Sequence, residues 1–122
     1  NPMLVEGQLV GSFVMHQGQA TFEGIERLDG QVLNPNFLDY KMVSSADLPD
    51  NLSFNSVGVP DPEGPFGAKE AGEGASAPAL ASIANAVSDA IGVRIKSLPI
   101  TPDKILEALK EKGVNQRPGI RT

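Results

Sequence analysis

Between Pro60 and Ser76 the chain reads PDPEGPFGAKEAGEGAS, with three prolines and four glycines in seventeen residues. Proline withholds an amide from a helix or ladder, and glycine has the most backbone freedom to lose on ordering, so no regular element runs through this stretch. Regular structure must form on either side of it. A loop this long inside a domain is more often functional than a spacer. Phe66 is its only large apolar residue, and Lys69, Glu70 and Glu73 charge its second half. By residue type alone the default reading is a solvated acidic loop, because carboxylates are seldom buried unpaired. The sharper reading is the seat of a general base, which needs a pKa moved toward neutrality by burial or neighbouring negative charge. Glu73 suits that role better than Glu70: it lies between Gly72 and Gly74, just before a predicted helix, whereas Glu70 adjoins Lys69 and can pair with it in solvent. The run GEGASA mimics a dinucleotide fingerprint, but it follows a loop rather than a strand and lacks a Walker lysine, which leaves nucleotide binding a minor reading. Helix-end amides aimed at some anion stay open.

On the N-terminal side, Asn1 is placed to cap a helix with Pro2 in its first turn, running to about Thr21. Leu9, Phe13, His16 and Ala20 share one face at helical spacing. Gly7, Gly11 and Gly18 interrupt the helix, each at about 1 kcal/mol relative to alanine, which points to close approach by another backbone or a ligand. FEGIERLDGQVLNP alternates around Asp29-Gly30, predicting a two-stranded ribbon from about Thr21 to Leu33. Asn34-Pro35-Asn36 ends it, with Phe37, Leu38 and Tyr40 expected to pack irregularly against it, and a further strand is predicted over Leu52 to Val59. On the C-terminal side, Ser76 is expected to cap a helix burying Leu80, Ile83, Ala84, Val87 and Ile91 and closed by Gly92. Thr101-Pro102-Asp103 starts a last helix with Ile105, Leu106 and Leu109 inward and Gly113 after it. Residues 114–122 read as a flexible tail. The fold class is α+β: two to three helices with a short antiparallel sheet.

The net charge of −5 offers no basic field for phosphate, so nucleic acid and anionic membrane surfaces are poor partners. With no cysteine and one histidine the chain cannot build a conventional zinc site, and no protein metal ligand is expected. A lone histidine on a helix face, as His16 is, is more often packed or exposed than catalytic. No apolar run approaches the ~20 residues of a membrane span. The start at Asn1-Pro2 is not a secretory signal, and without an initiating methionine the chain reads as a piece of something longer.

The order of the motifs says more. NPMLVEGQLVGSFVMHQGQATFEGI, NPNFLDYK, GPFGAK, AGEG and IANAVSDAIGVRIKSLPITP, spread over about Asn1 to Leu109, resemble the C-terminal part of the large subunit of the xanthine dehydrogenase and aldehyde oxidoreductase family, the molybdenum hydroxylases. The loop GPFGAKEAGEG looks most like the 4-hydroxybenzoyl-CoA reductase branch. The resemblance implies that residues 1–113 are the C-terminal portion of a molybdopterin-binding domain. It implies a molybdenum-pterin cofactor, in bacterial members extended as molybdopterin cytosine dinucleotide, whose metal the protein does not ligate through cysteine. Glu73 falls on the family's catalytic base, which takes a proton from a water-derived hydroxyl as it attacks an electron-poor carbon. Gln8 falls on the glutamine that touches the pterin, with Gly7 and Gly72 as cofactor-contacting glycines, while Lys69 matches a frequent lysine without assigned chemistry. Two departures stand out: His16 replaces a glycine common in relatives, and Gly74 replaces the commoner proline. Implied partners are the remainder of the large subunit, iron-sulfur clusters and FAD on partner subunits or domains, and a small-molecule substrate of aldehyde, N-heterocycle or aromatic acyl-CoA type. The implied setting is cytoplasmic. On this reading Glu70→Ala is mild and the piece alone is inactive. The rival is a noncatalytic folding or assembly module of such a subunit; a free-standing acidic binding domain fits the glycine-interrupted first helix poorly.

Overall fold

A computed structural model describes residues 1–113. Helix α1 spans Pro2–Thr21, and the Asn1 side chain accepts from the Leu4 amide as the capping argument requires. Its buried positions are Ser12, Gly18 and Ala20, whereas Leu9, Phe13 and His16 are only half-buried. The buried residues are thus small ones, and of the face expected from the spacing Ala20 alone is buried. The reason is the neighbour: α2 (Ser76–Ile91) packs on α1, and the Ser12 and Ser76 hydroxyls meet at 2.6 Å, a separation that bulky side chains would forbid. At Gly18 a side chain would run into Glu23 and Val43, so this glycine serves close packing.

The ribbon is shorter than the sequence suggests. Strands β1 (Arg27–Leu28) and β2 (Gln31–Val32) pair antiparallel, with Arg27 opposite Val32 and Leu28 opposite Gln31. Asp29 and Gly30 take φ of 47° and 83°, the positive pair that a tight hairpin turn demands. All four strand residues are exposed, so the ribbon is held from its base by Asn34. That side chain, 8% exposed, accepts from the Glu26 amide at 3.0 Å and donates to the Gly24 carbonyl at 2.7 Å. Asn34→Ala leaves a buried donor and acceptor unmatched and is expected to lower stability by about 1–3 kcal/mol, read by thermal unfolding.

The strand expected over Leu52 to Val59 does not form. A strand needs a partner edge, and Val57 and Val59 stand 93% and 65% exposed; Phe54 instead meets Phe13 edge-on, ring centres 6.2 Å apart. Phe37 and Leu38, 81% and 76% exposed, do not pack against the ribbon as expected. The Asn36 carboxamide accepts from both the Leu38 and Asp39 amides and turns them outward. Tyr40 does turn inward, its hydroxyl donating to Glu23 at 2.7 Å; that hydrogen bond, then burial and the carboxylate charge, raise the phenol pKa.

Helix α2 is entered from a 3-10 turn at Glu73–Ala75, so its cap residue is Ala75, and Ser76 is the first helical residue rather than the cap. Leu80, Ile83, Ala84, Val87 and Ile91 form the half-buried stripe, Ala79 is buried, and Gly92 closes the helix at φ 65°. Helix α3 spans Pro102–Glu111 with Ile105 and Leu109 half-buried, but Leu106 lies outside at 55% exposure. Thr101 caps it by position without a side-chain bond. Ile100 is buried, and its amide donates to the Ala20 carbonyl at 2.7 Å, tying the lead into α3 to the end of α1. The expected tail, 114–122, lies outside the described residues. Among the described residues the architecture is α+β, three helices with one two-stranded antiparallel sheet, and the buried apolar residues are Ala20, Ala79 and Ile100.

Candidate functional site

The long loop is ordered by its own backbone. Asp61 donates to the Gly67 carbonyl at 3.1 Å, Gly67 to Gly64 at 2.9 Å, and Ala68 to Pro65 at 3.0 Å. Phe66 and Gly67 both take positive φ, 57° and 74°, which turns the Phe66 ring fully into solvent. At Gly67 an added Cβ would also stand 2.9 Å from the Pro60 Cβ. Gly67→Ala is therefore expected to weaken the loop by roughly 1–3 kcal/mol, seen as faster exchange of the Asp61, Gly67 and Ala68 amides.

Past this knot the chain rises over the first three turns of α1. Gly7, Gln8, Gly11, Ser12 and Met15 from α1 face Gly72, Glu73 and Ser76 across a cleft of ≈ 260 Å³. All four residues singled out from sequence, Gly7, Gln8, Gly72 and Glu73, line it. At Gly7 and Gly11 nothing lies within 4 Å of where a Cβ would be, so these glycines leave open space above the helix. At Gly72 a Cβ would stand 3.1 Å from Glu70 Oε1 and 3.6 Å from Gln8 Oε1, so the bare backbone makes room for two polar side chains. Ser12 and Ser76 join the two walls at the base.

Glu70 does not sit idle beside Lys69. Its Oε1 accepts from the Glu73 amide at 2.5 Å. Lys69 and Glu70 both line a neighbouring cleft of ≈ 470 Å³ with Val5, Leu9 and Phe66. His16 donates from Nδ1 to the Ser12 carbonyl one turn back, at 2.8 Å, a bond within α1. Gly11, Ser12, Met15 and Ser76 were not read from the sequence as site residues. The signal for the first three was present, since Gly7, Gly11 and Met15, like Gln8 and Ser12, recur every four residues on one helix face; nothing local reveals Ser76.

Among the described residues no group of three or more His, Cys, Asp and Glu could hold a metal ion. The cleft instead offers a glycine floor that side chains would fill, a carboxamide at its rim able to donate and accept, and one carboxylate.

Comparison with known proteins defines the class. A molybdopterin cofactor-binding domain family matches residues 1–49, the segment that carries the α1 wall of the cleft. The chain belongs to the xanthine dehydrogenase and aldehyde oxidoreductase family of molybdenum-binding proteins. It is 42% identical to the xanthine dehydrogenase molybdenum-binding subunit of Escherichia coli O157:H7 over 93% of its own length and 15% of the relative's. It is 37% identical to the aldehyde oxidoreductase of Megalodesulfovibrio gigas, over 90% of this chain and 12% of that one. The crystal structure of quinoline 2-oxidoreductase from Pseudomonas putida 86 superposes with a TM-score of 0.83 at 33% identity, covering 91% of this chain and 14% of that one. The chain thus spans about one seventh of these relatives.

Proposed function

We propose that this chain supplies the catalytic base and part of the cofactor floor of a molybdenum-dependent hydroxylase or dehydrogenase. The observation that carries it is the convergence of Gly7, Gln8, Gly72 and Glu73 on one cleft, although the loop residues lie more than sixty positions beyond the helix residues. When bound, a molybdenum-pterin group supplies the two-electron redox centre, and the pterin in its cytosine dinucleotide form is the species proposed. Gln8 hydrogen-bonds the pterin, and the bare backbones at Gly7 and Gly72 let a flat ring come close. Glu73, fixed at the mouth of α2, takes the proton from the water-derived oxygen that attacks the substrate carbon.

Aldehydes and N-heterocycles lead the substrate classes, in keeping with the names of the relatives. An aromatic acyl-CoA, reduced rather than hydroxylated, rests on the loop GPFGAKEAGEG alone. Electrons are proposed to leave through iron-sulfur clusters and FAD on partner subunits or domains, in the cytoplasm. Among the described residues no helix is long and apolar enough to cross a membrane. The remainder of the large subunit is the proposed cover for apolar side chains now in solvent, among them Met3, Leu4 and Phe37. Combining the chain with the rest of the subunit and assaying dye reduction with aldehydes, N-heterocycles and aryl-CoA compounds tests this. Restored turnover supports the reading; cofactor binding with no turnover supports the assembly-module alternative.

A further inference from the structure

The residue beside the lysine is more than a solvated charge. Glu70 Oε1 accepts from the Glu73 amide at 2.5 Å, across a turn of three residues. The same oxygen stands 3.1 Å from the place a Gly72 Cβ would occupy, and Gln8 Oε1 lies 3.6 Å from that place on the other wall of the cleft. A side chain at 72 would press on the Glu70 carboxylate, and the glycine leaves it free to bridge. Glu73 opens the 3-10 turn that leads into α2, so its amide is one of the donors that a helical start leaves without a backbone partner. A carboxylate acceptor on such an amide makes a charge-assisted bond, about twice as strong as a neutral one. Among the described residues no other side-chain acceptor bonds this amide, and the flanking Gly72 and Gly74 add no stiffness.

We infer that Glu70 is a positioning residue: its carboxylate pins the backbone of Glu73 and so aims the proposed base into the cleft. The inference rests on the assignment of Glu73 as base, and it reverses the expectation that Glu70→Ala is mild. The chemistry needed at position 70 is an acceptor oxygen at the end of a three-bond arm. Glutamine retains that oxygen and alanine does not.

The test uses the assembled, molybdenum-loaded enzyme with Glu70→Ala, Glu70→Gln and, as a control on the parent reading, Glu73→Gln. Glu70→Ala is expected to lower kcat about tenfold with KM within about twofold, the loss of one charge-assisted hydrogen bond acting on geometry rather than on substrate binding. Hydrogen-deuterium exchange over Ala71–Ser76 should quicken about tenfold in the same variant at unchanged molybdenum content. Glu70→Gln should stay within about threefold of the parent enzyme in both measures. Parent-like exchange and kcat in Glu70→Ala, or a Glu70→Gln variant as impaired as Glu70→Ala, would overturn the inference. If Glu73→Gln turns over normally, the assignment of the base fails instead. The exchange measurement still reports whether Glu70 holds the amide.

Discussion

Glu73→Gln in the assembled enzyme is expected to lower turnover by several orders of magnitude while molybdenum content stays near normal. Glutamine matches the shape of glutamate but has no basic oxygen at working pH, so the variant removes proton transfer and little else. Glu73 opens the turn into α2 and is exposed at the cleft, so its loss disturbs no buried packing. The α1 wall of the cleft, with Gln8 and the glycines, is untouched, which is why loading should survive. Glu73→Ala should behave alike. Retained turnover in a fully loaded Glu73→Ala enzyme would show that the base lies elsewhere.

Gly7→Leu and Gly11→Leu are expected to act with opposite sign on two measurements. Leucine is the better helix former by close to 1 kcal/mol, and the space over both positions is empty, so α1 should fold at least as well as before. The new side chains would occupy the cleft they line, and bound pterin and molybdenum should fall at least roughly tenfold by metal analysis. The physical basis is that an isobutyl group fills volume that no neighbour can yield, with the Ser12 and Ser76 hydroxyls closing the base behind it. Normal loading in either variant would mean that the cofactor lies away from α1. A drop in thermal stability beside normal loading would return these glycines to a packing role inside a larger interface.

Much of the local structure was legible. Asn1-Pro2 announced α1, Asp29-Gly30 the hairpin turn, and Gly92 the end of α2, because each depends on a backbone conformation or a capping bond that neighbouring residues dictate. Most of the readings that failed required a distant partner. The strand at Leu52 to Val59 had the right residues and no edge to join. Phe37 and Leu38 had apolar side chains and nothing among the described residues to cover them. Leu106 had helical spacing but fell on the outer face of α3. Ser76 looked like a cap, and instead the preceding 3-10 turn took over the helix start and freed its hydroxyl for Ser12.

The sequence by itself therefore determined the helices, the turn and, through the order of its motifs, the family. Those properties are carried by residues close in the chain or by motif order. Only the tertiary structure decided that Gln8 and Glu73 share a cleft and that Ser12 of α1 meets Ser76 of α2. Each of these depends on how the long loop folds back over α1. No local pattern encodes that path; it is set by contacts between residues far apart in the chain, among them Ser12 and Ser76.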